Sequence, residues 1–514
     1  MVHLPFTVRD MLAARARSAQ PGQAAIVDGR RRVEYGELLE RAHGCAALLQ
    51  QAGVCRGDRV GIFLRRSADA AAALFGAWFA GAVPVVMNEH LRAVQVRHIL
   101  TNSEASCVIT ENRLLASMPD HPGPVLNVDT MASPTRCCAE VPVIGADLAA
   151  LIYTSGSTGL PKGAMLSHDN LVSGVQIVSQ YLELTERDVI LSVLPFSFDY
   201  GLNQLLTAIY VGGTLVIQRS LFPPDICRTL EKDAITGLAG VPTLWLQLTG
   251  RQSPFLKRAY PALRYMTNSG GQLPERTVRS IRAAHPDLAI FLMYGLTEAF
   301  RSTYLPPAEV DRRPTSMGKA IPNVEILVVD EQGTPCGAGQ TGELVHRGAN
   351  VFMGYWRDPE STARVLKPHP LTGHGHGSRE AVVFSGDLVT VDEEGYLYYV
   401  GRKDALIKSR GVRVSPEEIE RGAYASNLVS HAVAFAIAQE TGDSDIILAV
   451  VPLDPGSFTA QSLEACCRRD MPEYMWPRAV WPLPAFPLTS SGKPDRCRIR
   501  QLYVEHVERA GTAA

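Results

Sequence analysis

Several signatures are missing from this chain, and each absence removes a class of protein. Its ten cysteines contain no C-x-x-C pair, so the usual zinc-site spacing is absent. A chain of 514 residues does not need disulfides as staples, and reduced thiols in a cytoplasmic protein are expected. An excess of charge is also lacking: 50 Lys and Arg face 52 Asp and Glu, a formal net charge of −2. No field of one sign is available to hold nucleic acid or an anionic membrane surface. The N-terminus has no basic segment followed by an apolar block, and its apolar positions recur at helical spacing, so no export signal is expected.

Long hydrophobic runs are scarce. The one uncharged stretch of note, residues 70–87, is rich in alanine and is interrupted by Gly76, Gly81 and Pro84. Alanine adds little insertion energy, so the stretch is predicted as a buried helix ending near Gly81, followed by a strand over 83–87. No integral membrane segment is expected. His369, His374 and His376 cluster in a Gly/Pro-rich stretch. In so Gly/Pro-rich a setting they are predicted to form a solvated loop rather than a metal site.

What is present is the composition of a globular protein, 46% hydrophobic and 20% charged, with a mean hydropathy of +0.01. In the first half of the chain, helical stretches such as 38–52, 170–181 and 202–211 alternate with short β-branched runs at 60–64, 106–110, 189–194 and 214–218. That alternation predicts an α/β architecture with parallel sheets. After Glu298, β-rich pieces at 325–330, 342–347 and 396–400, separated by turn residues, predict a smaller antiparallel layer. Beyond Gly401, helices at 416–426 and 460–471 and strands at 432–438 and 446–451 predict a separate α+β domain, for which about 110 residues suffice.

The most informative stretch is Leu151-Ile-Tyr-Thr-Ser-Gly-Ser-Thr-Gly-Leu-Pro-Lys-Gly-Ala-Met-Leu-Ser-His. An apolar strand leads into glycines, hydroxyls and one lysine. Gly156, Gly159 and Gly163 allow close backbone approach, Thr154, Ser155, Ser157 and Thr158 offer hydroxyl donors, and Lys162 adds a positive charge. Such a loop suits phosphate oxygens. It is not a Walker A loop, because Lys162 precedes Gly163 and Pro161 stands where that register needs glycine. Ser167 is predicted to cap the next helix, with Asn170 near its third position, and His168 is assigned a structural role.

This loop resembles the signature of the adenylate-forming superfamily, which contains acyl-CoA synthetases, adenylation domains of nonribosomal peptide synthetases, and luciferases. Four further stretches match in that family's order: Tyr294-Gly-Leu-Thr-Glu298, Ser385-Gly-Asp387, the segment from Gly401-Arg-Lys-Asp to Glu420, and Pro487-Leu-Thr-Ser-Ser-Gly-Lys-Pro-Asp-Arg496. The resemblance covers essentially the whole chain and is greatest to the AMP-forming acyl-CoA synthetases. It implies an AMP- and acid-binding domain over residues 1–402 and a small mobile domain over 403–514. It also implies ATP, Mg2+ and coenzyme A, or a carrier-protein phosphopantetheine, as cofactors.

Roles follow from the resemblance. The loop from Thr154 to Lys162 would hold the β and γ phosphates, and Thr297 and Glu298 would act at the α-phosphate and the magnesium ion, a hard cation that prefers oxygen. Tyr294 would lie against the adenine, with Gly270, Gly271 and Gln272 at its other edge. Asp387 would accept from the ribose hydroxyls, and Arg402 would contact the ribose or phosphate side. Lys493 would be the adenylation lysine, Asp404 the hinge, and the loop containing Lys408 and Gly411 the part that approaches the thiol acceptor after rotation.

An aromatic acid pocket is expected from Phe198, Asp199, Tyr200 and Trp245. Phe198-Asp199 resembles the Phe-Asp of amino-acid adenylation domains, whose aspartate pairs with the substrate's α-ammonium. The Tyr200-Gly201 that follows is instead common in acyl-CoA ligases, so Asp199 is expected to cap the helix opening near Gly201, and the acid to be other than an amino acid. Stretches 194–204 and 294–322 also resemble acyl-CoA ligases found with bacterial exosortase systems, which defines no substrate. The expected activity is a two-step ligase whose partners are a small carboxylic acid and CoA or an acyl carrier protein. The alternatives are a stand-alone amino-acid adenylation enzyme that loads a carrier protein and a non-catalytic nucleotide-binding partner. The joint presence of Lys162, Glu298, Asp387, Arg402 and Lys493 weighs against the second.

Overall fold

Short β-branched runs bounded by turns become buried strands, and the helices between them serve as the crossovers that parallel strands need. The computed structural model describes residues 5–131, 138–154, 161–371, 380–409, 412–438, 444–489 and 491–512. One sheet has six strands in the order Val125–Asn127, Ala105–Thr110, Arg59–Phe63, Val83–Met87, Leu148–Thr154, Lys162–Ser167, parallel except for the last pair. A second sheet has nine strands. Its middle, Ala289–Tyr294, Tyr265–Asn268, Gly237–Gly240, Val189–Ser192, Thr214–Ile217 and Ala24–Asp28, is parallel, and its edges are antiparallel.

Successive strand residues send side chains to opposite faces. Ile26, Ile190 and Leu215 enter a core shared with Ile62, Ile109 and Ile152 of the six-stranded sheet, whereas Val27, Leu191 and Val216 enter a second core. Helices Tyr35–Gln51, Ala68–Phe79, His168–Tyr181 and Asp199–Val211 contribute to the shared core. The alanine-rich run is buried along nearly its whole length, and its small residues permit close helix contact: a Cβ on Gly76 would lie 2.6 Å from Cys45 Cβ. Among the described residues no helix is long and apolar enough to cross a membrane.

The antiparallel layer contains Val324–Val329, Thr341–Gly348 and Ala381–Val391, with Leu366–Pro368 and Leu397–Arg402 both paired to Ala381–Val391. Past it, helices Pro416–Ala425 and Ala460–Asp470 share a separate core with the sheet Val429–Ala438, Ser444–Pro452, Ala479–Pro482. Buried Glu420 in this unit accepts from both terminal nitrogens of Arg496, at 2.7 and 2.8 Å. Burial pushes its carboxyl up to about 7 against the pull of that guanidinium.

The histidine-rich stretch departs from the expected solvated loop at His369. Its backbone N–H donates to Glu380 O at 3.2 Å, continuing the pairing of Leu366–Pro368, and this draws the ring into a buried position where Nδ1 accepts from Leu371 N. His374 and His376 lie outside the described residues. Among the described residues no group of three His, Cys, Asp or Glu is placed to hold a metal ion.

Ser167 accepts from Asn170 N at 3.1 Å and Asn170 Oδ1 accepts from Ser167 N at 2.9 Å, the expected cap. Buried His168 beside it accepts the Val8 N–H at Nδ1, 3.2 Å away, which fastens the N-terminal helix Val8–Ser18 to the body. Burial, then nearby Arg9, pushes this imidazole down to about 4 from its ordinary 6.5. The unfolded chain therefore takes up a proton at a pH where the folded protein refuses it, and stability is lost as pH falls through that window. The melting temperature of the wild type is expected to decline between pH 6.5 and 4 more steeply than that of His168→Asn. Parallel slopes would remove His168 from the pH response.

Candidate active site

Thr154 and Lys162 face each other in register where the antiparallel pair Leu148–Thr154 and Lys162–Ser167 opens into the glycine-rich loop. Ser155, Gly156, Ser157, Thr158 and Gly159 of that loop lie outside the described residues. Lys162 Nζ hydrogen-bonds Ser361 Oγ and pairs with Asp358 Oδ2 at 3.3 Å. Asp358 caps helix Pro359–Val365 by accepting from Ser361 N, and the bonds from Ser361 and then Lys162 hold its carboxyl below the ordinary value. The lysine is thereby tethered to the start of helix Pro359–Val365.

Strand Ala289–Tyr294 ends at the same side of the molecule, and the turn beyond it carries Thr297 and Glu298, both half-buried. Tyr355 Oη donates to Glu298 Oε1, and Phe352 N donates to the Glu298 carbonyl at 2.9 Å. Burial pushes the Glu298 carboxyl up; Tyr355 opposes this and the nearby Asp199 reinforces it. Fully buried Asn350 donates to the carbonyls of Ala299 and Arg301 and sets its Oδ1 3.1 Å from His346 Nε2, while His346 Nδ1 lies 3.0 Å from Ser302 Oγ. Burial pushes His346 down to about 4, so the network bracing residues 299–302 is neutral.

Asp387 and Arg402 are register partners across strands Ala381–Val391 and Leu397–Arg402. Asp387 Oδ2 accepts from Tyr294 Oη, and Oδ1 lies 3.4 Å from both Arg402 Nη1 and Tyr399 Oη. Burial pushes this carboxyl up, and Arg402 and the tyrosines pull against it. Arg402 Nε also donates to the exposed Asp404 Oδ1 at 3.2 Å, at the passage into the C-terminal unit. Gln272 donates to Thr315 O at 3.3 Å, and Gly271 O accepts from Asn268 at 3.0 Å.

The C-terminal unit contributes Lys493. Thr489 holds this residue from both sides, its N–H donating to Lys493 O at 2.7 Å and its Oγ1 accepting from Lys493 N at 3.2 Å, and Thr243 Oγ1 donates to Gly492 O at 2.5 Å. Lys493 Nζ sits 5.5 Å from the Phe198 ring centroid. Gly270, at φ +82, leaves room for it, since a Cβ there would lie 2.8 Å from Lys493 Cε. Burial lowers the affinity of this amine for its proton, and Asp199 and Asp387 restore part of it. Lys408 lies in the short strand Ile407–Ser409, and Gly411 is outside the described residues.

Asp199 does not do what the sequence suggests. The N-cap of helix Asp199–Val211 is Phe198, with no side-chain cap bond, and Asp199 is already the first helical residue. Its side chain is 5% exposed and lies 3.4 Å from Nη1 of Arg301, itself 3% exposed. A buried guanidinium needs a counter-charge, and this carboxylate supplies it instead of capping the helix. The Arg301 guanidinium also lies 4.7 Å from the ring centroid of Tyr200, whose hydroxyl bonds Thr267 Oγ1. Trp245 is fully buried against Gly240 and Phe255.

Sequence reasoning misses Arg301, Tyr355, Asp358 and Asn350. Arg301 carries one signal, as the lone cation in Glu298-Ala-Phe-Arg-Ser. Tyr355 carries no such signal, because it meets Glu298 from 57 positions away along the chain.

A lysine of the C-terminal unit, Lys493, thus lies within the electrostatic reach of Asp199 and Asp387 of the larger domain. Residues 13–356 match the family of AMP-binding enzymes, and residues 418–493 match the AMP-binding enzyme C-terminal domain. The chain belongs to the AMP-binding enzyme family. It is 31% identical, over 93% of its length, to a linear gramicidin synthase of Brevibacillus parabrevis, of which it spans 9%. It is 27% identical to the 3-hydroxybenzoate–CoA ligase of Aromatoleum sp. (strain CIB), over 93% of both chains. ATP-bound MatB from Rhodopseudomonas palustris has a TM-score of 0.83 at 26% identity, with 97% and 99% of the two chains covered.

Asn350→Leu keeps the branched outline of the side chain but removes the donor to the buried Arg301 carbonyl, at a cost of about 1–3 kcal/mol, and leaves the Ala299 carbonyl with only its bond from Arg301 N. The expected outcome is a clearly lowered melting temperature in a thermal melt. An unchanged melt would mean that this brace does not hold the loop.

Proposed function

We propose that the protein is an ATP-dependent acid–thiol ligase. A carboxylate oxygen attacks the α-phosphorus of ATP, the bond to pyrophosphate breaks, and an acyl-adenylate forms. The thiol of CoA, or of a carrier-protein phosphopantetheine, then attacks the acyl carbon and releases AMP. The observation that carries this reading is the convergence of Lys162 and Lys493 with Glu298 and Asp387. An anion approaching a polyanion needs cations and aligned donors at the point where charge builds up.

In this reading Thr154, the loop residues Ser155 to Gly159 and Lys162 hold the outer phosphates. Lys493 joins the attacking carboxylate to the α-phosphate through charge-assisted hydrogen bonds. Gly270, Gly271, Gln272 and Tyr294 border the base. Asp387 has lone pairs left for the ribose hydroxyls after accepting from Tyr294, Tyr399 and Arg402. Thr297 faces the α-phosphate. Glu298 fits a magnesium ion, because its carboxylate is disfavoured by burial and a hard cation relieves that penalty. Magnesium bound there would withdraw charge from the phosphates; Glu298 and Tyr355 would hold its position. Residues 403–514 then turn about Asp404, withdraw Lys493, and bring the segment containing Lys408 and Gly411 to the thiol.

The Asp199–Arg301 pair favours an acid other than an α-amino acid. A substrate ammonium would have to compete for a carboxylate already neutralised by a buried guanidinium.

Lys493→Ala is expected to lower pyrophosphate release at least 100-fold while thioester formation from supplied acyl-AMP stays within a few-fold of wild type, a loss of about 3 kcal/mol confined to one half-reaction. Equal loss in both halves would overturn the role of Lys493. Strong turnover of an α-amino acid, abolished by Asp199→Ala, would make the protein an amino-acid adenylation enzyme instead.

A further inference from the structure

Arg301 is the most deeply buried charge near the site, and half of it is unused. Its Nη1 faces Asp199 and the Phe300 carbonyl, at 3.4 and 3.0 Å. Among the described residues, Nε and Nη2 have no hydrogen-bond partner and are shielded from solvent. These two atoms form the side-on edge of the guanidinium, two nearly parallel N–H groups. Asn203 gives a second, independent observation: it is 3% exposed, one helical turn beyond Asp199 on the same face, and its Nδ2 is likewise unpartnered among the described residues. Buried donors without acceptors are costly unless a ligand or water satisfies them.

We propose that Arg301 and Asn203 form an acceptor-binding subsite for the acid, selecting a carboxylic acid that bears an uncharged oxygen, a hydroxyl or keto group, within a few carbons of the reacting carboxylate. The inference rests on the ligase reading above. Asp199 is the electrostatic neighbour of both Lys493 and Glu298, which puts the subsite at the reacting end of the acid rather than at its tail. Asp199 already supplies the counter-charge of Arg301. A second carboxylate would add an uncompensated anion to a site that must also accept ATP, whereas a neutral oxygen satisfies the donors without that cost. A site with buried donors rejects the analogue that lacks the acceptor more strongly than an apolar pocket rejects a missing methylene.

The test is pyrophosphate release by the full-length protein on matched acids: butanoate, its hydroxy derivatives, acetoacetate and succinate, and the parallel series of benzoate, hydroxybenzoates and phthalate. The expected result is a kcat/KM at least about tenfold higher for one hydroxy or keto acid than for the plain acid of the same skeleton. That ratio should collapse toward unity in the charge-neutral pair Asp199→Asn with Arg301→Gln, and should shrink in Asn203→Leu, which breaks no bond of the fold. Asn203→Leu keeps the test decisive if the pair variant does not fold. A wild-type preference for the plain or the dicarboxylic acid would overturn the inference, as would a preference that both variants preserve. If no acid drives pyrophosphate release, the ligase reading fails and this inference falls with it; if acids turn over without these dependences, only this inference falls.

Discussion

The junction between the start of helix Asp199–Val211 and the turn after Glu298 depends on the buried contact between Asp199 and Arg301. Without Arg301, Asp199 would be one more uncompensated carboxylate near Glu298 and Asp387, in a place that under the proposed reading also receives a polyanion. Without Asp199, a guanidinium would be stranded in the interior. Removing either partner alone leaves an uncompensated buried charge, typically worth several kcal/mol. The pair also places Tyr200, over whose ring Arg301 lies. Because the contact joins a helix start to the turn after Glu298, that turn has to be rigid. The neutral His346–Asn350 network supplies the rigidity without adding another charge.

The two lysines are held by different means. Lys162 is tethered within its own domain by Asp358 and Ser361. Lys493 comes in on a turn that the larger domain grips through the hydroxyl of Thr243 on a backbone carbonyl; elsewhere, Arg276 donates to Val429 O at 2.8 Å. Bonds of this type exchange readily for bonds to water. The Glu420–Arg496 pair, which would be expensive to separate, lies wholly inside the C-terminal unit. A buried ion pair therefore helps keep that unit intact, whereas hydrogen bonds to backbone carbonyls and ion pairs of an exposed lysine or arginine, such as Lys403–Glu343 and Arg251–Asp454, dock it, a division that would suit the turning unit of the proposed reaction.

Local chemistry is legible in the sequence wherever neighbouring residues determine the outcome. The alternation of helices and β-branched runs appears as the two parallel-centred sheets, the strand over 83–87 is Val83–Met87, and the Ser167–Asn170 cap forms as its residue types require. Long-range partners are not legible. Asp199 reads as a cap because Asp before an apolar helix usually is one, and nothing near it in the sequence reveals that Arg301, 102 positions away, takes its charge. His369 reads as solvated because of its Gly/Pro-rich surroundings, and a strand edge buries it instead. Tyr355 and Asn350 act through contacts that only the folded topology creates.

The same logic of shared charge extends to the nucleotide end. Arg402 divides its donors between Asp387, which is buried beside Tyr294, and Asp404, which is exposed at the start of the C-terminal unit. If that unit turns about Asp404, the Nε contact is the one exposed to rearrangement, and whatever Asp404 gives up strengthens the hold of Arg402 on Asp387. Conversely, ribose hydroxyls that engage Asp387 compete for lone pairs with the Nη1 contact and leave Arg402 more fully to Asp404. A single guanidinium of fixed planar geometry cannot serve both carboxylates best at once. Under the proposed reading, occupancy of the nucleotide site and the position of the C-terminal unit would therefore be linked through Arg402, which contacts both carboxylates.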